Sequence, residues 1–173
     1  MNVLDHIPVV FDFPKKGIGF RDISPLLAHP EAFELATQKM AALFPVTDIS
    51  HIAGIESRGF IFGVAMARLL GKPFVMVRKA NKLPPQTFRI SYDLEYGEDH
   101  LEIRKNILSS NDRVLLVNDV LATGGTALAA AQLIQMSGAQ PVGLAVLLEI
   151  SPLNGAPRCL NEGLIARAAI RVD

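Results

Sequence analysis

Apolar residues recur along the first half of the chain in the order helix, strand, helix, strand. Residues 31–43 repeat apolar side chains at helical spacing, which predicts an amphipathic surface helix. Residues 49–55 predict a short buried strand, residues 60–70 a helix, and residues 74–77 a second buried strand. A strand, a helix and a strand in this order predict the βαβ unit of a parallel sheet.

The pattern changes after residue 79. Residues 79–86 are basic and rich in proline, and residues 87–100 alternate only weakly, so we expect an exposed loop or hairpin there. Further apolar runs predict a strand at 113–117, a helix at 126–136, a strand at 142–148, and an edge strand or helix at 164–172. The expected fold is therefore α/β, with a central, mainly parallel sheet flanked by helices.

Composition narrows the class of protein. The 173 residues are 50% hydrophobic and 20% charged, which is typical of one compact domain over residues 1–173. Lys and Arg together number 17, as do Asp and Glu, so there is no bulk positive charge to hold a nucleic acid or a membrane surface. No apolar run reaches the roughly 18 residues of a membrane span.

The cysteine content and the N-terminus bear on the compartment. Cys159 is the single cysteine, which excludes an intramolecular disulfide and fits a reducing environment. The first residues include Asp5 and Asp12, and they lack the basic start and the long apolar run of a signal peptide. We therefore expect a cytoplasmic protein.

The strongest candidate for chemistry is the run VLLVNDVLATGGTA at residues 114–127. An apolar strand leads to Asn118 and Asp119, and a short turn with Gly124 and Gly125 precedes the next helix. The end of a parallel strand and the start of the following helix favour an anion, because the first N–H groups of a helix are unpaired. The glycines let the backbone approach a phosphate, and Asp119 can accept hydrogen bonds from ribose hydroxyls.

The residues of this turn alone allow two interpretations. Thr123 and Thr126 can donate hydrogen bonds to a phosphate, or Asp119 can cap local N–H groups in an ordinary connection. The spacing matches neither G-x-x-x-x-G-K-[ST] nor G-x-G-x-x-G. The whole run resembles the signature of type I phosphoribosyltransferases, in which an acidic pair contacts the ribose and the turn holds the 5-phosphate. Asn118 departs from this signature, because the family usually has an acid there.

Other residues indicate which nucleobase the resemblance implies as the substrate. Family members that use 6-oxopurines usually carry an Asp and a Lys where this chain has Ala122 and Gly125, whereas the ATGGT turn is similar to that of members that use adenine. The run GIGFRDISP, within residues 1–30, resembles the segment through which those members recognise adenine. The resemblance implies that backbone groups bind the base edge and that Phe20 stacks on the ring. The residues concerned are Gly19, Phe20 and Arg21.

Two more segments resemble parts of the family that bind pyrophosphate. The run IESRGFIFG resembles a loop in which a cis peptide bond joins an acid to a serine, here Glu56 and Ser57, and the following Arg58 holds the leaving group. The run VRKANKL resembles a basic segment that reaches the pyrophosphate, often from the neighbouring subunit of a dimer. By its residues alone, such a cluster is also typical of a solvated loop. Its candidates are Arg78, Lys79 and Lys82.

The run SYDLEYG resembles the flap that covers the family's active site. The resemblance implies a flexible flap or hairpin over residues 79–105, with Glu95 at the catalytic position and Tyr96 beside it. Such a flap excludes water that would hydrolyse an activated ribose. Glu95 would accept a proton from the attacking nitrogen or stabilise the developing cation, and the sequence leaves both roles open.

As a whole, the resemblance implies a reaction of purine salvage. Adenine and 5-phosphoribosyl 1-pyrophosphate (PRPP) would give AMP and pyrophosphate in a homodimeric enzyme, with Arg58 and Glu95 as catalytic residues. Mg²⁺ would bind with PRPP, chiefly through substrate and water, and Asp119 is the candidate protein ligand. Three alternatives remain: an enzyme of this fold for another base, a regulatory module that binds PRPP without turnover, and a protein with a structural role.

Overall fold

A computed structural model describes residues 1–94 and 97–173, which form two compact units, residues 1–39 and residues 40–173. In the first unit, Asp22 accepts hydrogen bonds from the N–H and the hydroxyl of Ser24 and so turns the chain from a strand into a helix. The elements of this unit are a 3-10 helix (Val3–His6), strands β1 (Val9–Phe11) and β2 (Gly19–Arg21), and helices α1 (Ser24–Leu27) and α2 (Pro30–Ala41), the last of which runs into the second unit.

The second unit is built on a sheet. Its described elements are a 3-10 helix (Val46–Asp48), β3 (His51–Ile55), α3 (Gly59–Leu70), β4 (Phe74–Lys79), β5 (Thr87–Leu94), β6 (Gly97–Arg104), β7 (Arg113–Leu121), α4 (Gly125–Met136), β8 (Gln140–Ile150), a 3-10 helix (Ser151–Leu153), α5 (Gly155–Asn161) and β9 (Ala166–Val172). In the described residues the strand order is β5-β6-β4-β3-β7-β8-β9. The strands β4, β3, β7, β8 and β9 are neighbours in this order, and each pairs in parallel with the next. Strand β6 pairs antiparallel with β4 and with β5, so β5 and β6 form a hairpin at one edge of the sheet.

Both faces of the central strands are buried. Val114 and Leu116 of β7 belong to the apolar cluster that contains the inner side of α4, and Leu115 and Val117, which point the opposite way, are also inaccessible to solvent. This is why the strand is a continuous apolar run instead of an alternating one. On the α3 side the packing is close: a Cβ at Gly63 would lie 3.2 Å from the Cα of Gly54.

The predicted helices and strands follow one another along the chain in the expected order, and the remaining differences have local causes. Residues 87–94 and 97–104 form the hairpin, and residues 166–172 form an edge strand, not a helix. The strand predicted at 113–117 continues to Leu121 because β8 pairs with it that far, so the polar pair at 118–119 lies within β7. Within the described residues, no helix is long and apolar enough to cross a membrane.

Candidate active site

The carboxyl end of β7 forms one wall of a small cavity. β3 pairs with β7 as far as Val117, whereas β8 pairs with it as far as Leu121. The last residues of β7 therefore have a neighbouring strand on one side only. The chain then turns through residues 122–124 into α4, and this turn encloses a cavity of about 90 Å³. The predicted site residues that line it are Asn118, Ala122, Thr123, Gly124, Gly125 and Thr126.

Gly124 gives the turn its shape. It occupies the N-cap position of α4 with a φ of +89°, a conformation that residues with a Cβ rarely adopt. A Cβ here would lie 3.0 Å from the Sγ of Cys159 and 3.1 Å from the carbonyl oxygen of Gly155. Because Gly124 also has no side chain with which to cap the helix, the first N–H groups of α4 are left for a bound anion.

Arg58 and Asp119 come from different predicted segments and form an ion pair. The Nε of Arg58, just before α3, lies 2.6 Å from the Oδ2 of Asp119 on β7. The Asp119 side chain is 7% exposed and that of Arg58 is 34% exposed. Burial raises the pKa of Asp119, and the Arg58 guanidinium opposes that rise. The site therefore holds a buried carboxyl whose partner still reaches solvent.

Asn118 makes one contact that an acid at this position could not make. Its Nδ2 donates a hydrogen bond to the carbonyl oxygen of Val120 at 3.1 Å. Its Oδ1 lies against the first residue of α3, since a Cβ on Gly59 would be 2.8 Å from it. A carboxylate has no N–H to donate and could not make this hydrogen bond. Where the family usually has an acid, this chain therefore has an amide that binds its own backbone.

Glu56 binds two of the predicted basic residues. The Glu56–Ser57 peptide bond is cis, as the resemblance implied. Glu56 Oε2 accepts from the backbone N–H of Lys79 at 2.8 Å and from the Nε of Arg78 at 3.2 Å. Arg78 also donates to the carbonyl oxygen of Lys82 at 3.0 Å. Burial acts to raise the pKa of Glu56, but the Lys79 N–H and the Arg78 guanidinium outweigh it and lower the pKa.

Asp99 connects the hairpin to β4. The Nζ of Lys79 lies 3.0 Å from Asp99 Oδ2, and the Tyr92 hydroxyl donates to the same oxygen at 3.3 Å. The bond to Asp99 raises the pKa of Lys79. Burial raises the pKa of Tyr92, although a hydrogen bond with the side chain of Thr126 acts to lower it. The predicted pyrophosphate contact Lys79 thus has an internal carboxylate partner.

The predicted adenine segment lies on β2 in the first unit. Phe20 is half-buried, and its ring stacks edge-on against that of Phe13, with 5.2 Å between the ring centroids. The N–H of Asp22 donates to the carbonyl oxygen of Pro8. Every second residue of a strand turns its backbone groups to the same edge, so Phe20, which lies opposite Val10, also turns its N–H and C=O toward β1. Alternation along the strand then turns the N–H and C=O groups of Gly19 and Arg21 to the opposite edge.

Two predicted residues, Glu95 and Tyr96, lie outside the described residues. Within the part of the chain that the structure describes, no group of three or more His, Cys, Asp and Glu side chains is arranged to hold a metal ion. Asp119, paired with Arg58, is the predicted protein ligand. A magnesium ion bound beside this single carboxylate would take most of its ligands from its substrate and from water.

Two contacts of the site had no signal in the sequence. The guanidinium of Arg158, on α5, donates from Nη1 to the carbonyl oxygen of Thr123 at 3.2 Å. Asp99, on the hairpin, pairs with Lys79 on β4. Arg158 stands in a segment without regular patterning, and Asp99 is one of several acids near the hairpin turn. In both contacts the two residues are too far apart in the chain for their spacing to predict that they meet.

Comparison with known proteins supplies the family. The model of the phosphoribosyl transferase domain matches residues 23–157 of this chain. A curated adenine phosphoribosyltransferase from Polynucleobacter asymbioticus is 50% identical over 171 residues, which cover 99% of both chains. The chain belongs to the adenine phosphoribosyltransferase family. Its sheet and hairpin are accordingly those of the type I phosphoribosyltransferase fold.

Solved structures of adenine phosphoribosyltransferases have the same fold. The protein from Rhodothermus marinus is 42% identical and superimposes with a TM-score of 0.91, with 98% of this chain and 96% of that chain covered. The protein from Giardia lamblia, solved in complex with 9-deazaadenine, is 38% identical, with a TM-score of 0.93 and coverage of 100% and 99%. The likeness to the adenine phosphoribosyltransferases therefore extends over nearly the whole chain.

Proposed function

We propose that this enzyme transfers the 5-phosphoribosyl group of PRPP to adenine, giving AMP and pyrophosphate in purine salvage. The observation that carries the proposal is the turn at residues 122–124 together with the first two residues of α4, which we call the 122–126 turn. Here Gly124, with its positive φ, leaves the N-terminus of α4 open beside a small cavity. The 50% identity to an adenine phosphoribosyltransferase supports it. The reaction would take place in the cytoplasm. All of residues 1–173 would act as one domain, since the family match at 23–157 includes residues of both units.

In this proposal the 122–126 turn binds the 5-phosphate of PRPP. Its backbone N–H groups and the hydroxyls of Thr123 and Thr126 are the donors that a phosphate monoester needs. Asp119 accepts hydrogen bonds from the ribose hydroxyls. The interaction of a helix dipole with an anion is worth only about 0.3–1 kcal/mol at an exposed site, so the individual hydrogen bonds provide most of the affinity.

The reaction breaks the bond between ribose C1 and the pyrophosphate oxygen and forms a bond from C1 to an imidazole nitrogen of adenine. The pyrophosphate leaves with the electron pair, and Arg58 stabilises its negative charge. Arg78, Lys79 and Lys82 bind the same group, and Glu56 and Ser57 shape the loop that contacts it. Magnesium, when bound with PRPP, neutralises further charge on the pyrophosphate. The proton lost by adenine goes to Glu95 or to water.

Adenine recognition would depend on the outer edge of β2. Gly19 and Arg21 each offer a backbone N–H and C=O at that edge, which match the exocyclic amine and the adjacent ring nitrogen of adenine. A 6-oxopurine presents an acceptor where adenine presents a donor, so it would leave backbone groups unpaired. Phe20 would stack on the base.

The assembly that we infer is a homodimer. Helix α3 exposes Ile61, Val64 and Leu69, whose side chains are 38%, 51% and 50% accessible. An apolar helix face of this kind is typical of a protein interface. Light scattering after size exclusion is expected to give twice the mass of 18.7 kDa, and Val64→Asp is expected to give a monomer. A wild-type monomer at micromolar concentration would refute the dimer.

A pyrophosphate-release assay with four bases tests the proposed function. We expect release from PRPP and Mg²⁺ with adenine, and at least about a hundredfold less with hypoxanthine, guanine or xanthine, because each leaves buried donors or acceptors unpaired. Preference for another base would identify a different enzyme of this fold. PRPP binding without release from any base would identify a regulatory module.

The role of Glu95 has its own test. Glu95→Gln removes the proton acceptor and the negative charge but keeps the size of the side chain. If Glu95 takes part in the reaction, turnover falls by about 10²–10⁴ while adenine affinity is retained. Unchanged turnover would remove Glu95 from the mechanism.

A further inference from the structure

Helix α5 packs directly against the outer side of the 122–126 turn. A Cβ on Gly155 would lie only 2.2 Å from the carbonyl oxygen of Ala122, so the first residue of α5 approaches the turn as closely as a backbone can. The buried Cys159, one helical turn later, underlies Gly124. Two residues of α5 therefore lie against Ala122 and Gly124, on either side of Thr123.

Arg158 adds a polar contact between them. Its Nη1 donates to the carbonyl oxygen of Thr123 at 3.2 Å. In a trans peptide the C=O and the following N–H point in opposite directions. Holding the Thr123 carbonyl toward α5 therefore turns the N–H of Gly124 away from α5. The close contact of Ala122 with Gly155 turns the N–H of Thr123 away in the same manner.

The side away from α5 is the side of the cavity. The described lining of that cavity consists of residues from β7, the turn, the start of α4 and Leu144 of β8, and it includes no residue of α5. Arg158 therefore does not line this cavity. It does line a neighbouring, larger cavity of about 510 Å³ together with Gly125, the first residue of α4, and a Cβ at Gly125 would lie 3.8 Å from its Nη1. From that side Arg158 holds the Thr123 carbonyl of the turn. Its guanidinium also adds a positive charge near the turn.

We propose that Arg158 is a positioning residue for the 5-phosphate of PRPP and AMP, acting through the carbonyl of Thr123. This inference rests on the proposed function, since it assigns the turn to the phosphate. It adds that the binding geometry of the turn is set by a side chain from the C-terminal part of the chain. Without Arg158 the Thr123 carbonyl loses this hydrogen bond, so packing alone holds the Thr123–Gly124 peptide and its N–H is less well preorganised for the phosphate.

The test uses the full-length enzyme and four proteins: wild type, Arg158→Met, Arg158→Lys and Arg167→Met. Arg167→Met is the matched control, because Arg167 also donates from Nη1 to a backbone carbonyl, that of Leu43, at 2.6 Å. The affinities for AMP and adenosine are measured by titration calorimetry, together with kcat, the KM values for PRPP and adenine, and the melting temperature. The ratio of AMP affinity to adenosine affinity reports on the phosphate contact alone.

For Arg158→Met we expect the AMP affinity to fall about tenfold and the KM for PRPP to rise by a similar factor, the size of one charge-assisted hydrogen bond. Adenosine affinity and the KM for adenine should stay within about twofold. Arg158→Lys, which keeps a donor, should recover most of the loss, and Arg167→Met should not change the AMP to adenosine ratio. Equal weakening of AMP and adenosine, or an unchanged ratio in Arg158→Met, would overturn the proposal.

A second variant tests the contact between α5 and the turn independently of Arg158, and its melting temperature is measured with the others. Gly155→Ala places a methyl group against the Ala122 carbonyl and displaces the turn from the same side. It is expected to give the same selective loss of AMP affinity; an unchanged ratio would count against the α5 contact. If wild type itself fails to convert adenine and PRPP, the proposed function fails. If wild type is active and both variants keep the wild-type ratio, only the role of Arg158 fails.

Discussion

The 122–126 turn and the basic cluster of Arg58, Arg78 and Lys79 are prepared for anions in different ways. The turn offers backbone N–H groups and hydroxyls held by backbone packing, with Gly124 at a φ of +89°. Each residue of the basic cluster already has a carboxylate partner: Asp119, Glu56 and Asp99, at 2.6, 3.2 and 3.0 Å. The backbone N–H groups of the turn therefore need no exchange of partners to bind a phosphate, although the Thr126 hydroxyl would have to leave Tyr92. A pyrophosphate bound at the cluster would compete with internal acids.

This difference bears on affinity and on selectivity. Neutral donors fixed by packing depend on shape, so small steric changes should weaken binding at the turn. Paired cations keep the cluster neutral before substrate arrives, which limits both unproductive binding of other anions and mutual repulsion among the three cations. Substitutions at each place should therefore produce effects of different size.

The largest effect should follow loss of Arg58. Arg58→Met leaves Asp119 buried without its partner and removes a charge proposed to stabilise pyrophosphate. We expect kcat/KM for PRPP to fall by about 10²–10³ and the free energy of unfolding by about 2 kcal/mol, a reduced value because Arg58 is partly exposed. Arg171→Met, which also releases a buried carboxylate, that of Glu149, is the control and should keep its activity. Steady-state kinetics and urea denaturation measure both; equal losses in the two variants would contradict a role in the reaction.

Gly124→Ala should have the next largest effect. The new Cβ meets Cys159 and Gly155, and the backbone must keep a φ unfavourable for alanine. We expect about a tenfold to fiftyfold higher KM for PRPP and a destabilisation of about 1–2 kcal/mol. Gly138→Ala is a matched control, because Gly138 has the same φ of +89° at the other end of α4 with nothing near its Cβ position. If both variants raise the KM equally, packing at the turn is not the cause.

Two acids paired with the basic cluster should show opposite dependence of stability on pH. Burial raises the pKa of Asp119 above its ordinary 3.8, so its contribution to stability is lost as pH rises through the raised pKa. Hydrogen bonds, outweighing burial, lower the pKa of Glu56 below its ordinary 4.5, so its contribution is lost as pH falls through the lowered pKa. Relative to wild type, Asp119→Asn should therefore gain stability as pH rises above 3.8, and Glu56→Gln should gain as pH falls below 4.5. Urea midpoints between pH 3 and 8 measure this; slopes of equal sign would contradict it.

The smallest effect should follow release of Lys79. Asp99→Asn removes the carboxylate partner of a lysine whose side chain is 55% exposed, so stability should change by less than about 1 kcal/mol. The freed ammonium should bind pyrophosphate better and lower the KM for PRPP by about twofold at low salt. Glu98→Gln, at an exposed acid beside it, is the control. An increase in KM with Asp99→Asn alone would mean that the pair helps to bind the substrate.

Prediction from sequence worked best where a segment determines its own structure. The apolar runs of β3, β4, β7 and β8 predicted the parallel sheet, because a strand buried on both faces must be apolar throughout. The prediction placed the end of β7 too early, at residue 117. Polar residues were taken as the end of a strand, and only the pairing with β8 keeps Asn118 and Asp119 within it.

The sequence by itself determined the family, through motifs in which a residue type serves a local chemical need: glycine where the backbone turns with positive φ, and hydroxyls beside a helix N-terminus. Tertiary structure alone decided which charges meet. Arg58 and Asp119 are far apart in the chain but share the carboxyl edge of the sheet, where α3 begins beside β7. Arg158 reaches Thr123 because β8 and the turn after it return α5 to the same place. Such contacts depend on the path of the chain in space, which no local pattern records.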